Sequence, residues 1–196
     1  MDLTPTLLKG HFIDLEPITE SHREDLRVAA HEDPAIFTHF PRDIAAEFDS
    51  YFDESLDSGE DQLPFIVRDK RLNVVVGTSR YMNISPRDLK LEIGHTWYRP
   101  SSQATAVNPE AKLLLMGHAF EHLKCARVEY KTDERNARSR RAMEKMGAKF
   151  EGVFRRHLLV REGRLRSSAY YSILDDEWPE VKAGLAARVE KFKEAE

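Results

Sequence analysis

LEIGHTWYRPSSQATAVNPE, residues 91–110, changes character halfway along. Leu91 to Tyr98 reads as a strand, with aromatic and branched residues that suit a pleated surface. Arg99-Pro100 ends it, and Ser101 to Val107 forms a polar loop. A helix follows from Asn108. Pro109-Glu110 suits its first turn, where a missing N–H costs nothing and an acid complements the helix dipole. Leu113, Leu114, Met116, Ala119, Phe120 and Leu123 then recur at helical spacing. A strand–loop–helix junction aims loop N–H groups and a helix N-terminus at one spot, which suits a phosphate or pyrophosphate. The loop contains no glycine, although close backbone approach favours one. Taken alone, the junction reads first as an ordinary strand-to-helix connection.

Upstream, 11–18 alternates as a first strand, and a polar helical stretch runs from Thr19 to Ala30 until Asp33-Pro34 breaks it. Ile44 to Leu56 predicts a second helix with Phe48, Tyr51, Phe52 and Leu56 on one face. Leu63 to Val67, Val74 to Met82 and Leu91 to Tyr98 then form an antiparallel meander, separated by turn signals at Asp69 to Asn73 and Ser85 to Asp88. Downstream, Val128 to Lys131 is a short strand. Asn136 to Met146 is a helix closed by Gly147. Phe150 to Val160 and Leu165 to Leu174 pair as a hairpin about Glu162-Gly163, and a last helix covers roughly Glu177 to Glu194. The expected fold is α/β of the α+β kind, one domain over residues 1–196. Its mixed, mostly antiparallel sheet has about seven strands flanked by helices.

The chain has 196 residues, of which 41% are hydrophobic and 33% charged, an ordinary globular balance. No apolar run is long enough to span a membrane, and the N-terminus lacks the pattern of a signal peptide. The single cysteine, Cys125, cannot form an internal disulfide and reads as a small buried residue. A cytoplasmic protein is expected. No His/Cys/Asp/Glu spacing reads as a metal site. The net charge of −4 hides two blocks. Asp14 to Asp61 holds 15 acids and 3 bases, a local net of −12, and Arg135 to Arg166 holds 11 bases and 3 acids, a local net of +8. Such blocks either meet partners of opposite sign or solvate two faces. The pI of about 6.1 and the lack of any nucleic-acid motif argue against nucleic acid as a partner.

Four stretches carry a family resemblance: LEIGHTWYRP at 91–100, QATAVNPEAKLLLMGHAFEHL at 103–123, RVEYKTDERNARSRRAMEKMGAKFEGVFRRH at 127–157 and SILDDEWPEVKAGL at 172–185. Asn136 to Gly152 is the most specific part. With these stretches the chain resembles the GCN5-related N-acetyltransferase (GNAT) superfamily, and within it the RimJ/RimL-type ribosomal-protein-alanine N-acetyltransferases. The resemblance implies acetyl transfer from acetyl-CoA to a primary amine, either a small amine or a protein N-terminus, by direct attack on the thioester. It also implies a sheet splayed between its fourth and fifth strands, no metal, and a homodimer as one form of assembly. An acyl-CoA-binding module without catalysis is the alternative.

The family's pyrophosphate loop, Gln/Arg-x-x-Gly-x-Gly/Ala, falls here on Gln103, Ala104, Thr105, Ala106, Val107 and Asn108. Both glycine positions, Ala106 and Asn108, hold other residues. By resemblance the backbone from His95 through Trp97 and Tyr98 pairs with the pantetheine arm, and one N–H there holds the thioester oxygen as it gains charge. The tyrosine that many members place seven residues after the helix asparagine is Met143 here, which cannot donate a proton. The RimJ/RimL pattern instead puts Ser139 beside the departing thiolate, with Asn136 contacting the cofactor or ordered water. Glu92 is the candidate base, a carboxylate between apolar neighbours whose pKa would rise in a cleft. Alternation alone would turn it to solvent. His95 and Tyr81 are further candidates. The acidic early helices border the acceptor cleft in the resembled fold, and Arg138, Arg140, Arg141 and Lys145 lie where CoA phosphates would pass.

Overall fold

The computed structural model describes residues 1–194. Its strands are β1 (Leu8–Lys9), β2 (Ile13–Pro17), β3 (Leu63–Asp69), β4 (Val74–Ser85), β5 (Lys90–Tyr98), β6 (Arg127–Asp133), β7 (Lys149–Leu159) and β8 (Leu165–Leu174). They form one sheet in the order β1-β2-β3-β4-β5-β6-β8-β7. Every pair is antiparallel except β5–β6. The eighth strand beyond the expected seven is the two-residue β1, too short to leave an alternating pattern. Five α-helices flank the sheet: α1 (Arg23–His31), α2 (Phe48–Leu56), α3 (Val107–Gly117), α4 (Ala137–Met146) and α5 (Trp178–Lys193).

Two cores lie on opposite faces. On one, α3 and α5 cover Tyr81, Leu91, Ile93, Val128, Tyr130 and Tyr171. On the other, α1 and α2 bury Leu26, Phe37, Phe48, Tyr51 and Phe52 against Ile66, Val75 and Trp97. The second helix is shorter than its sequence predicts. Residues 44–47 make a turn held by Asp43, whose carboxylate accepts from the Ala46 N–H at 3.2 Å, and the helix proper starts at Phe48. Tyr81 is a core residue, not a site residue: its hydroxyl donates to the Leu115 carbonyl at 2.6 Å, where α3 loosens into one turn of π-helix over His118–His122.

Two features of the sheet create a site. The parallel pair β5–β6 is in register only from Lys90–Arg127 to Glu92–Glu129, and beyond that the strands part. β5 also carries a bulge. Arg80 faces Gly94 and Thr78 faces Trp97, so His95 and Thr96 together oppose Ser79. His95 takes a left-handed φ of 48° there. The end of β5 presses on β4 at Gly77, where an added Cβ would lie 2.0 Å from the Trp97 oxygen, so only glycine fits.

α4 ends at Gly147 as its sequence predicts, and Asn136, expected as its first residue, is its N-cap. The Asn136 carboxamide oxygen accepts from the Ser139 N–H at 3.0 Å. Gly147, at φ 104°, closes the helix. Its N–H bonds the Glu144 carbonyl and that of Ala148 bonds the Met143 carbonyl, a Schellman pattern. α3 is tied to the far edge of the sheet by Glu110, whose carboxylate accepts from the N–H groups of His11, Phe12 and Ile13 at 2.7, 2.8 and 2.9 Å.

Candidate active site

Where β5 leaves β6, the β5 backbone from Ile93 onward has no strand partner on that side. The loop after β5 turns across this gap into α3. The N–H groups of Ala104, Thr105, Ala106 and Asn108 have no partner among the described residues. That of Val107 is taken by the Thr105 hydroxyl at 3.3 Å, and Pro109 has none. The candidate phosphate loop therefore offers four free donors, not a full set. The left-handed residue in it is Ala104, at φ 59°, so the loop makes its turn without glycine. Asn108, better suited to that conformation, sits in the first turn of α3 instead.

Gln103 and α4 complete the junction. Gln103 donates to the Tyr98 carbonyl at 3.0 Å and accepts from Arg138 at 2.5 Å. The end of β5, the loop and the first turn of α4 are thereby joined, and Asn136 and Ser139 stand on that same turn. The Ser139 hydroxyl has no partner among the described residues, and Arg141 is exposed one turn beyond Arg138. Arg140 instead bonds the Tyr171 hydroxyl at 3.0 Å and covers Phe150. Met143 packs on the core. Trp97 turns its indole into the α1/α2 core, donating to the Tyr51 hydroxyl at 3.4 Å and meeting Phe37 edge-on, so only its backbone faces the gap. Tyr98 is buried on the opposite face, with an unpartnered hydroxyl.

Beside the bulge a cleft of about 610 Å³ opens between α2 and the sheet, lined by Asp53, Glu54, Asp57, Ser58, Gln62, Arg80, Met82 and His95. Two of its acids are engaged. Asp53 holds Arg23 at 2.6 Å and Glu54 holds Arg42 at 2.8 Å, so much of the acidic block neutralises itself. His95 stacks on Tyr51 with centroids 6.2 Å apart. Desolvation first, then the charges of Arg80, Lys131, Arg42 and Arg166, push its pKa down to about 3. The ring is therefore neutral at physiological pH and a weak base.

Glu92 is not turned to solvent as alternation suggests. It is 2% exposed and bonds Lys131 Nζ and Asn83 Nδ2, each at 2.9 Å. Burial raises its pKa, while Lys131 opposes the rise. Met82, its cross-strand partner, reaches the cleft lining, and Glu92 itself does not.

Sequence reasoning missed Lys112. It lies in α3, 8% exposed, with Nζ 3.2 Å from the Thr96 hydroxyl and 5.2 Å over the Tyr130 ring. The Thr96 hydroxyl in turn meets that of Ser79 at 2.7 Å. Desolvation lowers the pKa of Lys112 to about 7. The available signal was its position between buried Ala111 and Leu115 on a helix that is otherwise apolar there. Cys125 is buried and its thiol is pushed up to about 11, which suits packing and not nucleophilic attack.

Among the described residues no helix is long and apolar enough to cross a membrane, and no group of three His, Cys, Asp or Glu is placed to hold a metal ion. No curated protein matches the chain. Solved structures do. A GCN5-related N-acetyltransferase from Brucella melitensis is 32% identical, with a TM-score of 0.87 over 96% of this chain and 90% of its own. A structure from T. thermophilus is also 32% identical, with a TM-score of 0.82 over 96% of this chain and 99% of its own. Mycobacterium smegmatis RimJ, solved in complex with CoA-disulfide, shares the fold at 19% identity and a TM-score of 0.75, over 94% of this chain and 92% of its own. The acetyltransferase (GNAT) domain model matches residues 13–149. With the splayed sheet, the donor-lined loop and the α4 turn in place, the chain belongs to the GNAT acetyltransferase family and is an acyl-CoA-dependent acetyltransferase.

Proposed function

We propose that the protein moves an acetyl group from acetyl-CoA to a primary amine, a small amine or a protein N-terminus, in a RimJ/RimL-like arrangement. The observation that carries this is the gap opening after Glu92–Glu129, with free loop N–H groups on one side and the Arg138–Gln103 bridge on the other. The residues suit the cofactor. Pantetheine adds to the unpaired β5 edge at His95 to Tyr98, the pyrophosphate meets the N–H groups of Ala104, Thr105, Ala106 and Asn108, and Arg138 and Arg141 supply positive charge. The neutral amine attacks the thioester carbon, so that a C–N bond forms and the C–S bond breaks. A β5 N–H steadies the oxyanion, Ser139 donates a hydrogen bond to the thiolate, and Glu92 takes the amine proton through water.

A cytoplasmic setting goes with this reading, supported by a single cysteine that is free and buried. So does a homodimer, to be checked by sedimentation. The glycine-poor loop and Met143 favour one rival, a CoA-binding module without catalysis. Calorimetry with acetyl-CoA, followed by thiol release across a panel of amines, separates the two. Binding with thiol release on at least one amine supports transfer, whereas binding without release on any amine leaves the module.

A further inference from the structure

The cleft beside the bulge holds a buried arginine, Arg80, with no ion pair. Among the described residues Arg80 and Arg166 are the two buried arginines, each 5% exposed. Elsewhere arginines find carboxylates readily: Arg23, Arg42 and Arg127 each hold at least one. Arg80 does not. Its guanidinium meets the Ser55 hydroxyl at 2.7 Å, the Gln62 carboxamide oxygen at 3.2 Å and the Tyr51 ring at 5.3 Å, all neutral, and its buried Nε has no partner. The Arg166 side chain has no hydrogen bond or ion pair among the described residues, and its Nε is also buried and unpartnered. Asp133, which acts on it electrostatically, is ion-paired with Arg164 at 2.5 Å. Burying a guanidinium is costly unless an anion and further hydrogen bonds compensate it. Of the two, Arg80 lines the cleft, and although Glu54 acts on it electrostatically no carboxylate is ion-paired with it; its buried Nε leaves room for an anion to complete its bonding.

Their placement says where that anion sits. Arg80 is on β4 directly opposite Gly94, the residue that begins the bulge, and adjacent strands lie about 4.8 Å apart. Arg166 is on β8 and Lys131 on β6. All three charges act on His95, which lines the cleft. The acids around them are Glu92, already shared with Lys131 and Asn83, and Asp53, Glu54 and Asp57 on the α2 side, of which Asp53 and Glu54 are paired with Arg23 and Arg42. The cleft floor is therefore cationic, although the segment at its mouth is acidic.

We propose that Arg80 binds a carboxylate of the acceptor, so that the enzyme prefers small amines carrying a carboxylate next to the reactive nitrogen. This deepens the proposed acetyl transfer and rests on it for the reaction, though not for the binding. A protein N-terminus has an amide at that position and fits the floor less well. Guanidinium and carboxylate match as a two-point fork, and a site built for that pair rejects analogues that leave its charges unpaired.

The experiment compares L-α-amino acids with their α-carboxamides and their decarboxylated amines. Thiol release from acetyl-CoA gives kcat/KM, and calorimetry in the presence of CoA gives binding without turnover. The carboxylate forms are expected to win by about tenfold or more in both readouts. Arg80→Gln should raise KM for the carboxylate acceptor about tenfold, and more than for the carboxamides, with KM for acetyl-CoA unchanged and partial rescue by Arg80→Lys. Carboxamides or simple amines that bind and react as well as the amino acids overturn the anion site while transfer stands. Amino acids that bind selectively but release no thiol support the anion site and sink the transfer reading. If no carboxylate form binds at all, the anion site is wrong.

Discussion

Arg138 Nη2 donates to Gln103 Oε1 at 2.5 Å, across the gap between the loop that follows β5 and the first turn of α4. Gln103 is fixed in turn on the Tyr98 carbonyl. Arg138 thus holds the two walls of the candidate cofactor site together and brings a positive charge to it. Arg138→Ala should weaken CoA binding about tenfold by calorimetry, with thermal stability nearly unchanged because the residue is exposed. An unaltered dissociation constant would remove Arg138 from the site.

Ala104 carries the loop's left-handed turn at φ 59° with a Cβ that this conformation disfavours. Glycine at 104 removes that strain but adds freedom to the unfolded chain, and the strain is the larger effect where φ is positive. Ala104→Gly is expected to raise stability by up to about 1 kcal/mol in urea unfolding. A loss of stability would mean the turn is not left-handed in solution.

Ser139 keeps its hydroxyl unpartnered while its N–H is spent on the Asn136 cap. A hydrogen bond made only to a departing thiolate acts in the transition state alone. Ser139→Ala should therefore lower kcat about tenfold or more with KM for acetyl-CoA within a factor of about two. A rise in KM at constant kcat would make Ser139 a binding contact instead.

Residues whose roles are set locally were legible in the sequence. Gly147 closes α4 through bonds to neighbours three to five residues away, and the β7–β8 hairpin turns at Glu162-Gly163, both with positive φ. What escaped depends on partners far along the chain. Glu92 sits at an outward position by alternation, yet Lys131, 39 residues later, comes back on β6 to cover it. Ala104 bends because the ends of β5 and α3 demand it, not because its side chain prefers to. The loss of solvent around Arg80, Arg166 and Lys112 arises only when separate strands and helices meet.

Lys112 offers the clearest test of that last point. Its amine is buried against Thr96 and Tyr130, and its pKa is lowered to about 7 from an ordinary lysine value near 10.5. Between those values the unfolded chain holds a proton that the folded chain has lost, so stability rises with pH across that window, by at most about 1.4 kcal/mol per unit. Below about pH 7 both states are protonated and the unfavourable contribution is constant and at its largest. Lys112→Met keeps the bulk, removes the charge and leaves the Thr96–Ser79 hydrogen bond in place. The variant should be more stable than the parent by several kcal/mol at about pH 6.5, and the gap should close as pH approaches 10. Urea unfolding of both proteins at about pH 6.5 and 9.5 reads this directly. Parallel pH dependence in the two proteins would mean that Lys112 keeps an ordinary pKa and reaches water.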